Sequence, residues 1–322
     1  MMRMLLLGLA PLLIIVGLGT GYAAHWSMPG LLNVVDALTP GAAGERVATA
    51  VPYGANSVAN VMQSVDVYAP QGHRANGPDK LPAIVFFHGG GWRNGGREQY
   101  GFVGRAFAAE GFITVVAGYR LGADGRFPIF MQDAAAAIAW THANAARYGG
   151  DPERIVLAGH SAGAHIALMS GLDTQWLEGA GLGDMVRPGG AIRGVISLAG
   201  PADFLPFEPG GAAEAAFHHL ANKELSQPIH FARADAPPLW LGHGDADTLV
   251  RLRNSQHLLT AVTDAGGQAE LRIYPGADHN GTVKPLSLYY RSDSSLLADV
   301  VAFARRVTSP QPVSTASMTE RQ

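Results

Sequence analysis

A serine hydroxyl becomes a nucleophile only when a neighbouring base takes its proton, and the charge that then develops on the attacked group must be met by donors already in place. Ser161 stands in Gly159-His160-Ser161-Ala162-Gly163, directly after an apolar run and directly before a helical pattern. This fits G-x-S-x-G, in which the serine sits on a tight turn and the flanking glycines let strand and helix approach without side chains between them. Alone the pattern is weak in a glycine-rich chain; its strand-turn-helix setting gives it weight. The base should be a histidine oriented by a carboxylate, and in this type of turn the acid and then the histidine follow the serine along the chain. Asp245 and Asp247 lie in "GDADTLV" after a later apolar run, and His279 lies in "GADHNG" after the next. Asp247 is the preferred acid and Asp245 braces the turn. Asp278 cannot easily turn its carboxylate onto its neighbour's ring, and His257, inside a helical pattern, is read as a surface residue.

The donors are expected in "VFFHGGGWRNGG", Val85 to Gly96. Glycine-rich turns after strands often cradle phosphate, but the frame Gly91 to Gly96 continues Arg97-Glu98 and lacks both the lysine and the hydroxyl of a P-loop, and no G-x-G-x-x-G occurs here. Consecutive glycines can instead aim successive amides at one oxyanion. Gly89, Gly90 and the residue after the serine, Ala162, are the expected donors, with Gly91 shaping the turn. His88 is expected to brace this loop. Trp92 and His160 are candidate pocket residues, with core packing as the competing reading for both and also for His165.

These groups need elements to hold them. Short apolar runs at Gln63 to Tyr68, Ala83 to Phe87, Phe112 to Ala117, Ile155 to Ala158, Val195 to Leu198, Leu239 to Leu241 and Leu271 to Tyr274 are predicted strands. Helical spacing covers Gln99 to Glu110, Phe130 to Tyr148, Ala162 to Gly171, Leu252 to Ala265 and Ser294 to Val307. Strands that are apolar throughout and alternate with helices imply a mainly parallel sheet, about eight strands, covered on both faces. Residues 201–237 interrupt the rhythm with Pro, Phe and His and are expected to form a lid-like insertion or pocket wall. Residues 25–58, small and Pro/Gly-punctuated, are read as a stalk carrying one short helix at Leu31 to Leu38, with the main domain at 59–308 and a disordered polar tail at 309–322.

The chain has 322 residues, 48% of them hydrophobic, so a large core is available. A charged fraction of 15% and a net charge of −3, without a basic stripe, point away from nucleic acid and toward small, mostly uncharged ligands. The absence of cysteine removes disulfides, thiolate metal sites and a cysteine nucleophile. Residues 1–24 carry one charge, Arg3, ahead of an apolar run. They are read as a membrane anchor with the domain facing outward, or as a signal peptide whose cleavage would leave the domain secreted.

"HGGGW", "GHSAGAH", "GDADTLV" and "GADHNG", in that order, resemble an α/β-hydrolase of the carboxylesterase and esterase/lipase type, over roughly Val61 to Arg305. "RYGGDPERIVLAGHSAG" is similar to the stretch before the nucleophile in hormone-sensitive-lipase-like enzymes, and "SAGAHIA" to that of isoprenylcysteine methylesterase-like ones. The resemblance implies the α/β-hydrolase fold, hydrolysis of a small carboxylic ester with no metal or organic cofactor required, a Ser161, Asp247 and His279 triad, and the glycine loop as oxyanion hole. Short acyl chains are expected. Formamide hydrolysis of the kynurenine-formamidase kind and acetylxylan or feruloyl ester hydrolysis stay open as alternatives. A binding protein on the same scaffold would lack the histidine, and His279 is present.

Overall fold

The computed structural model describes residues 28–39, 41, 43–54 and 62–309. Runs such as Val85-Phe86-Phe87 and Ile113-Thr114-Val115-Val116 suit a pleated surface buried on both sides, and their side chains are almost wholly shielded from solvent. The strands are β1 (Gly44–Pro52), β2 (Ser64–Pro70), β3 (Leu81–Phe87), β4 (Ile113–Ala117), β5 (Gly150–His160), β6 (Ile192–Leu198), β7 (Leu239–Gly244) and β8 (Ala269–Tyr274). They form one sheet in the order β1-β2-β4-β3-β5-β6-β7-β8. The pairings β1 with β2 and β2 with β4 are antiparallel, and every pairing from β4 through β8 is parallel. Register brings the chemistry to one edge. Phe87 lies opposite Gly159, His160 opposite Leu198, and Gly244 opposite Tyr274. The loops that leave the carboxyl ends of β3, β5, β7 and β8 therefore open side by side.

Helices α1 (Met28–Leu38), α2 (Gly101–Ala109) and α7 (Leu296–Thr308) cover one face, where Leu32, Phe102, Phe107, Val300 and Phe303 pack on Phe86, Val156 and Ile196. The opposite face is covered by α3 (Ile129–Asn144), α4 (Ala162–Leu172) and α6 (Arg253–Asp264), with Phe130, Ile138, Ile166, Leu258 and Val262 against Val85, Leu157 and Leu241. Each of these large side chains removed from water contributes on the order of 1.5–3 kcal/mol. Helix α4 is buried along its whole length, so its apolar residues show no one-sided periodicity.

The stalk expected at 25–58 is corrected by the structure. The short helix expected at Leu31 to Leu38 is present as Met28–Leu38, but it is docked on the domain, and Gly44–Pro52 is the outermost strand. In α1 the buried Asp36 receives Arg105 Nε at 2.7 Å and the Leu288 amide at 2.7 Å, so a carboxylate, rather than an apolar stripe, fastens the helix. Along the other side of α1, Met28, Leu31, Val34 and Leu38 are exposed. β1 is mostly solvated, has register shifts either side of Ala48, carries Glu45 and Arg46, and ends in Pro52. Nothing in it alternates strongly enough to announce a strand. At the opposite edge of the sheet, β8 carries Glu270, paired with Arg306, and Arg272, whose guanidinium lies 3.4 Å from Asp299.

Residues 201–237 contain no strand; they hold helix α5 (Ala212–Phe217) and two short 3-10 turns, Lys223–Ser226 and Pro228–Phe231. The expected segment at 1–24 and, apart from Ser309, the tail expected at 309–322 lie outside the described residues. Among the described residues, no helix is long and apolar enough to cross a membrane.

Candidate active site

β5 ends at His160 and α4 begins at Ala162, which leaves Ser161 alone to turn the chain. Its backbone is forced to φ 55° and ψ −122°, a conformation that costs a non-glycine residue on the order of 1–3 kcal/mol. The surroundings impose it. The Ser161 amide donates to Leu198 O at 2.9 Å and the His165 amide donates to Ser161 O at 3.1 Å. A side chain at Gly163 would collide with the Phe87 carbonyl, and one at Gly159 with the backbone of Gly163. Both glycines of the motif are thus required by contact between strand and helix.

The structure brings Ser161, Asp247 and His279 together. His279 Nε2 lies 2.8 Å from Ser161 Oγ, and His279 Nδ1 lies 2.8 Å from Asp247 Oδ2. Since a carboxylate only accepts, Nδ1 carries the proton and Nε2 is free to accept from the serine. Asp247 Oδ1 accepts the Leu249 and Val250 amides, each at 2.9 Å. Burial alone would raise the Asp247 pKa, but hydrogen bonds from His243 and His279, the His279 charge and the Val250 amide together hold it well below the usual carboxylate range. Asp245 Oδ1 accepts the Gly276 amide at 2.6 Å and ties the acid loop to the histidine loop. Asp278 caps the turn after itself through the Gly281 amide at 2.8 Å. His257 is exposed on α6 and pairs with Asp203 at 2.6 Å.

Three histidines line the back of the site and stay neutral. His160 is buried and does not reach the cavity; the pocket role considered for it is corrected to one behind His279. Its Nε2 donates to the His279 carbonyl at 3.0 Å, and its pKa is lowered to about 3 by burial first and by the neighbouring His279 second. His88 stacks on Tyr119 at 4.3 Å, donates from Nδ1 to Gly89 O at 2.8 Å, and is lowered to about 4 by burial. The Tyr119 hydroxyl donates to His88 O at 2.7 Å, which pins the start of the glycine loop from the other side. His165, also lowered to about 4 by burial, donates from Nε2 to Ser226 O at 2.8 Å.

The glycine loop separates into distinct roles. Gly89 backs onto the Tyr100 hydroxyl and the His160 ring, which leave little room for a side chain there. Gly90, at φ 129°, leaves no room for a Cβ beside the Asn94 carbonyl. Gly91, at φ 61°, together with Trp92 and Ser161 lines a cavity of about 330 Å³. The other walls come from the insertion, through Pro201, Phe204, Pro206, Glu208 and Ala212, and from the acid loop, through Leu249 to Arg251 with Arg253 and Asn254. Trp92 also sits in an aromatic cluster, 4.9 Å from Phe217 and 6.1 Å from Phe204, so both readings of this residue describe it. A larger hollow of about 510 Å³ at the amino ends of β6 to β8 contains none of these groups, and the chemistry belongs with the smaller cavity.

Sequence reasoning missed the residues behind the acid. His243, fully buried in β7, has Nε2 2.7 Å from Val250 O and 3.5 Å from Asp247 Oδ2, and Nδ1 2.7 Å from Ser255 Oγ. A histidine four residues before the acid, at the end of an apolar run, was the available signal. Glu208, Arg251 and Arg253 gave none, because only the folded insertion and loop show that they share a cavity.

A mainly parallel sheet with a serine turn, an acid loop and a histidine loop at successive strand ends defines an α/β-hydrolase of the esterase/lipase type. The chain belongs to the BD-FAE family, whose model matches residues 65–262. It is 30% identical over 272 residues to the esterase LipQ of Mycobacterium tuberculosis, covering 78% of this chain and 61% of that one. It is 28% identical over 271 residues to a probable isoprenylcysteine alpha-carbonyl methylesterase, ICMEL1, of Oryza sativa, covering 78% and 60%. The chain thus spans about 60% of the length of these two relatives. Among solved structures it is similar to a truncated carbohydrate esterase from gut microbiota, with TM-score 0.67 and 21% identity over 82% of this chain and 96% of the other.

Proposed function

We propose that the protein hydrolyses small carboxylic esters through Ser161, His279 and Asp247. The observation that carries this reading is the continuous hydrogen-bonded path from Ser161 Oγ through His279 to Asp247, each step 2.8 Å long. His279 takes the Ser161 proton as Oγ attacks the acyl carbon, while Asp247 keeps the imidazole in the required tautomer and stabilises its charge. The proton passes to the leaving alcohol, and water repeats the sequence on the acyl-enzyme. Amides of Gly90, Gly91 and Ala162 hold the oxyanion. We place Gly91 in the position the sequence suggested for Gly89 because it shares the cavity with Ser161, whereas Gly89 is packed against Tyr100 and His160. Short acyl groups suit a cavity at the small end of the roughly 300–1,000 Å³ range of small-molecule sites.

Labelling with a fluorophosphonate and mapping the adduct by mass should find it on Ser161. A series of 4-nitrophenyl esters from acetyl to palmitoyl, run beside N-formylkynurenine and acetylated xylan, should give best turnover at the short end. An unlabelled Ser161 sinks the hydrolytic reading, and best turnover on palmitoyl sinks the short-chain one.

The domain faces outward on a tether formed by residues 1–24. Support comes from α1, which follows that apolar stretch closely and exposes Met28, Leu31, Val34 and Leu38 on one side. The full chain is expected in the membrane fraction, resistant to high salt and released by detergent, and a chain lacking residues 1–24 is expected to be soluble. A soluble full-length product whose mature amino terminus lies near residue 25 would mean a cleaved signal instead.

A further inference from the structure

The cavity beside Ser161 holds more hydrogen-bonding capacity than the protein itself uses. Of its polar side chains, Ser161 is engaged with His279, and Asn254 is engaged through both its polar atoms: its Oδ1 accepts the Ala202 and Asp203 amides at 3.0 and 2.9 Å, and its Nδ2 donates to Arg251 O at 3.0 Å. Arg251 and Arg253 also line the cavity, and among the described residues neither side chain makes a hydrogen bond or ion pair. Glu208, across the cavity on the insertion, is likewise unpaired and is the one acidic side chain in the lining. Asp247, on the same loop as the arginines, is committed to His279 and to two amides, and Asp203 beside the cavity is committed to His257.

Two guanidinium groups with no protein partner against one carboxylate give the cavity a positive lining and favour an occupant that brings acceptors and negative charge. A neutral hydrocarbon group would gain nothing from either guanidinium, both of which are exposed and hydrated in its presence. We propose that the cavity selects esters bearing a second, ionised carboxylate on the part of the molecule that it holds, with Arg251 and Arg253 as the residues that recognise it. The inference rests on the serine-hydrolase reading and names the substrate class for that same site. Arginine is suited to the task because its planar fork meets a carboxylate with two parallel hydrogen bonds.

The test uses matched pairs. On the acyl side, 4-nitrophenyl hemisuccinate is compared with 4-nitrophenyl valerate; on the alcohol side, 4-carboxyphenyl butyrate is compared with phenyl butyrate. In at least one pair the carboxylate-bearing ester should have the higher kcat/KM, by about 5- to 30-fold at low ionic strength, as expected for one or two solvent-accessible charge pairs. The preference should shrink in high salt, fall to near parity in R251Q/R253Q, and grow in E208Q. Because the readout is a ratio within one protein sample, partial misfolding of a variant does not imitate it. Equal or better turnover of the neutral ester in both pairs would overturn the proposal, as would a preference that survives in R251Q/R253Q. Failure to hydrolyse any of the four esters would instead bring down the hydrolytic reading beneath it, and the proposal with it.

Discussion

Ser161→Ala and His279→Ala should each lower kcat on any hydrolysed ester by on the order of 10⁴–10⁶-fold, with Asp247→Asn costing about 10⁴-fold. The serine and histidine act as a unit, so the double variant should be little worse than either single one. Asp247→Asn is milder because the Leu249 and Val250 amides still hold the loop, while the imidazole loses the partner that sets its tautomer. His257→Ala serves as the control: it removes a downstream histidine that lies on the surface against Asp203 and should leave kcat unchanged. Initial rates on a short-chain 4-nitrophenyl ester, with melting temperatures to verify folding, make the measurement. Residual activity within about tenfold of the parent in Ser161→Ala would rule out the assignment.

Acid should unfold this protein early, between about pH 6 and 4. In the unfolded chain His88, His160 and His165 take up protons near 6.5; in the folded protein burial lowers them to about 4, 3 and 4. Between those values the unfolded state binds up to three more protons, so stability falls as pH falls, with a slope approaching about 4 kcal/mol per pH unit. Asp247 works in the same direction lower down. Its depressed folded pKa gives stability that is complete above its unfolded value of about 4 and is lost as pH drops below it. Urea midpoints at a series of pH values should therefore collapse on the acid side of neutrality. His165→Gln, which keeps a donor for Ser226 O but does not titrate, should flatten the slope by about a third. Midpoints that hold steady from pH 7 to 4.5 would contradict it.

The parts of the fold visible in the sequence were those whose signal is local. β3, β4 and the Ile155 to Ala158 part of β5 are apolar because both their faces are covered, and α6 and α7 keep one solvated side, so their spacing is plain. α1 was legible as a short helix at Leu31 to Leu38, but its docking was not, because a buried carboxylate fastens it; β1 escaped altogether, since with register shifts and one solvated side it hardly alternates. The serine, acid and histidine were legible because each closes a strand in a fixed order. Which glycine of Gly89, Gly90 and Gly91 faces the cavity was not, since three identical residues in a row carry no register. The residues that distinguish one ester from another were hidden as well. Glu208 and Arg253 lie 45 positions apart and share a cavity only after the insertion folds across the acid loop.

The charged and interrupted strands at the two ends of the sheet have a consequence for life at high concentration. An outermost strand with unclaimed amides and carbonyls can template pairing with a neighbouring molecule, and an eight-stranded, strongly apolar sheet makes that hazard severe. At one end, Glu45, Arg46, the register shifts around Ala48 and the terminal Pro52 break the straight rail that a foreign strand would need. At the other, Glu270 and Arg272 are engaged with Arg306 and Asp299 of α7, so charge and helix together guard β8. The molecule is thereby protected against ribbon-like self-association while its reactive edge stays open.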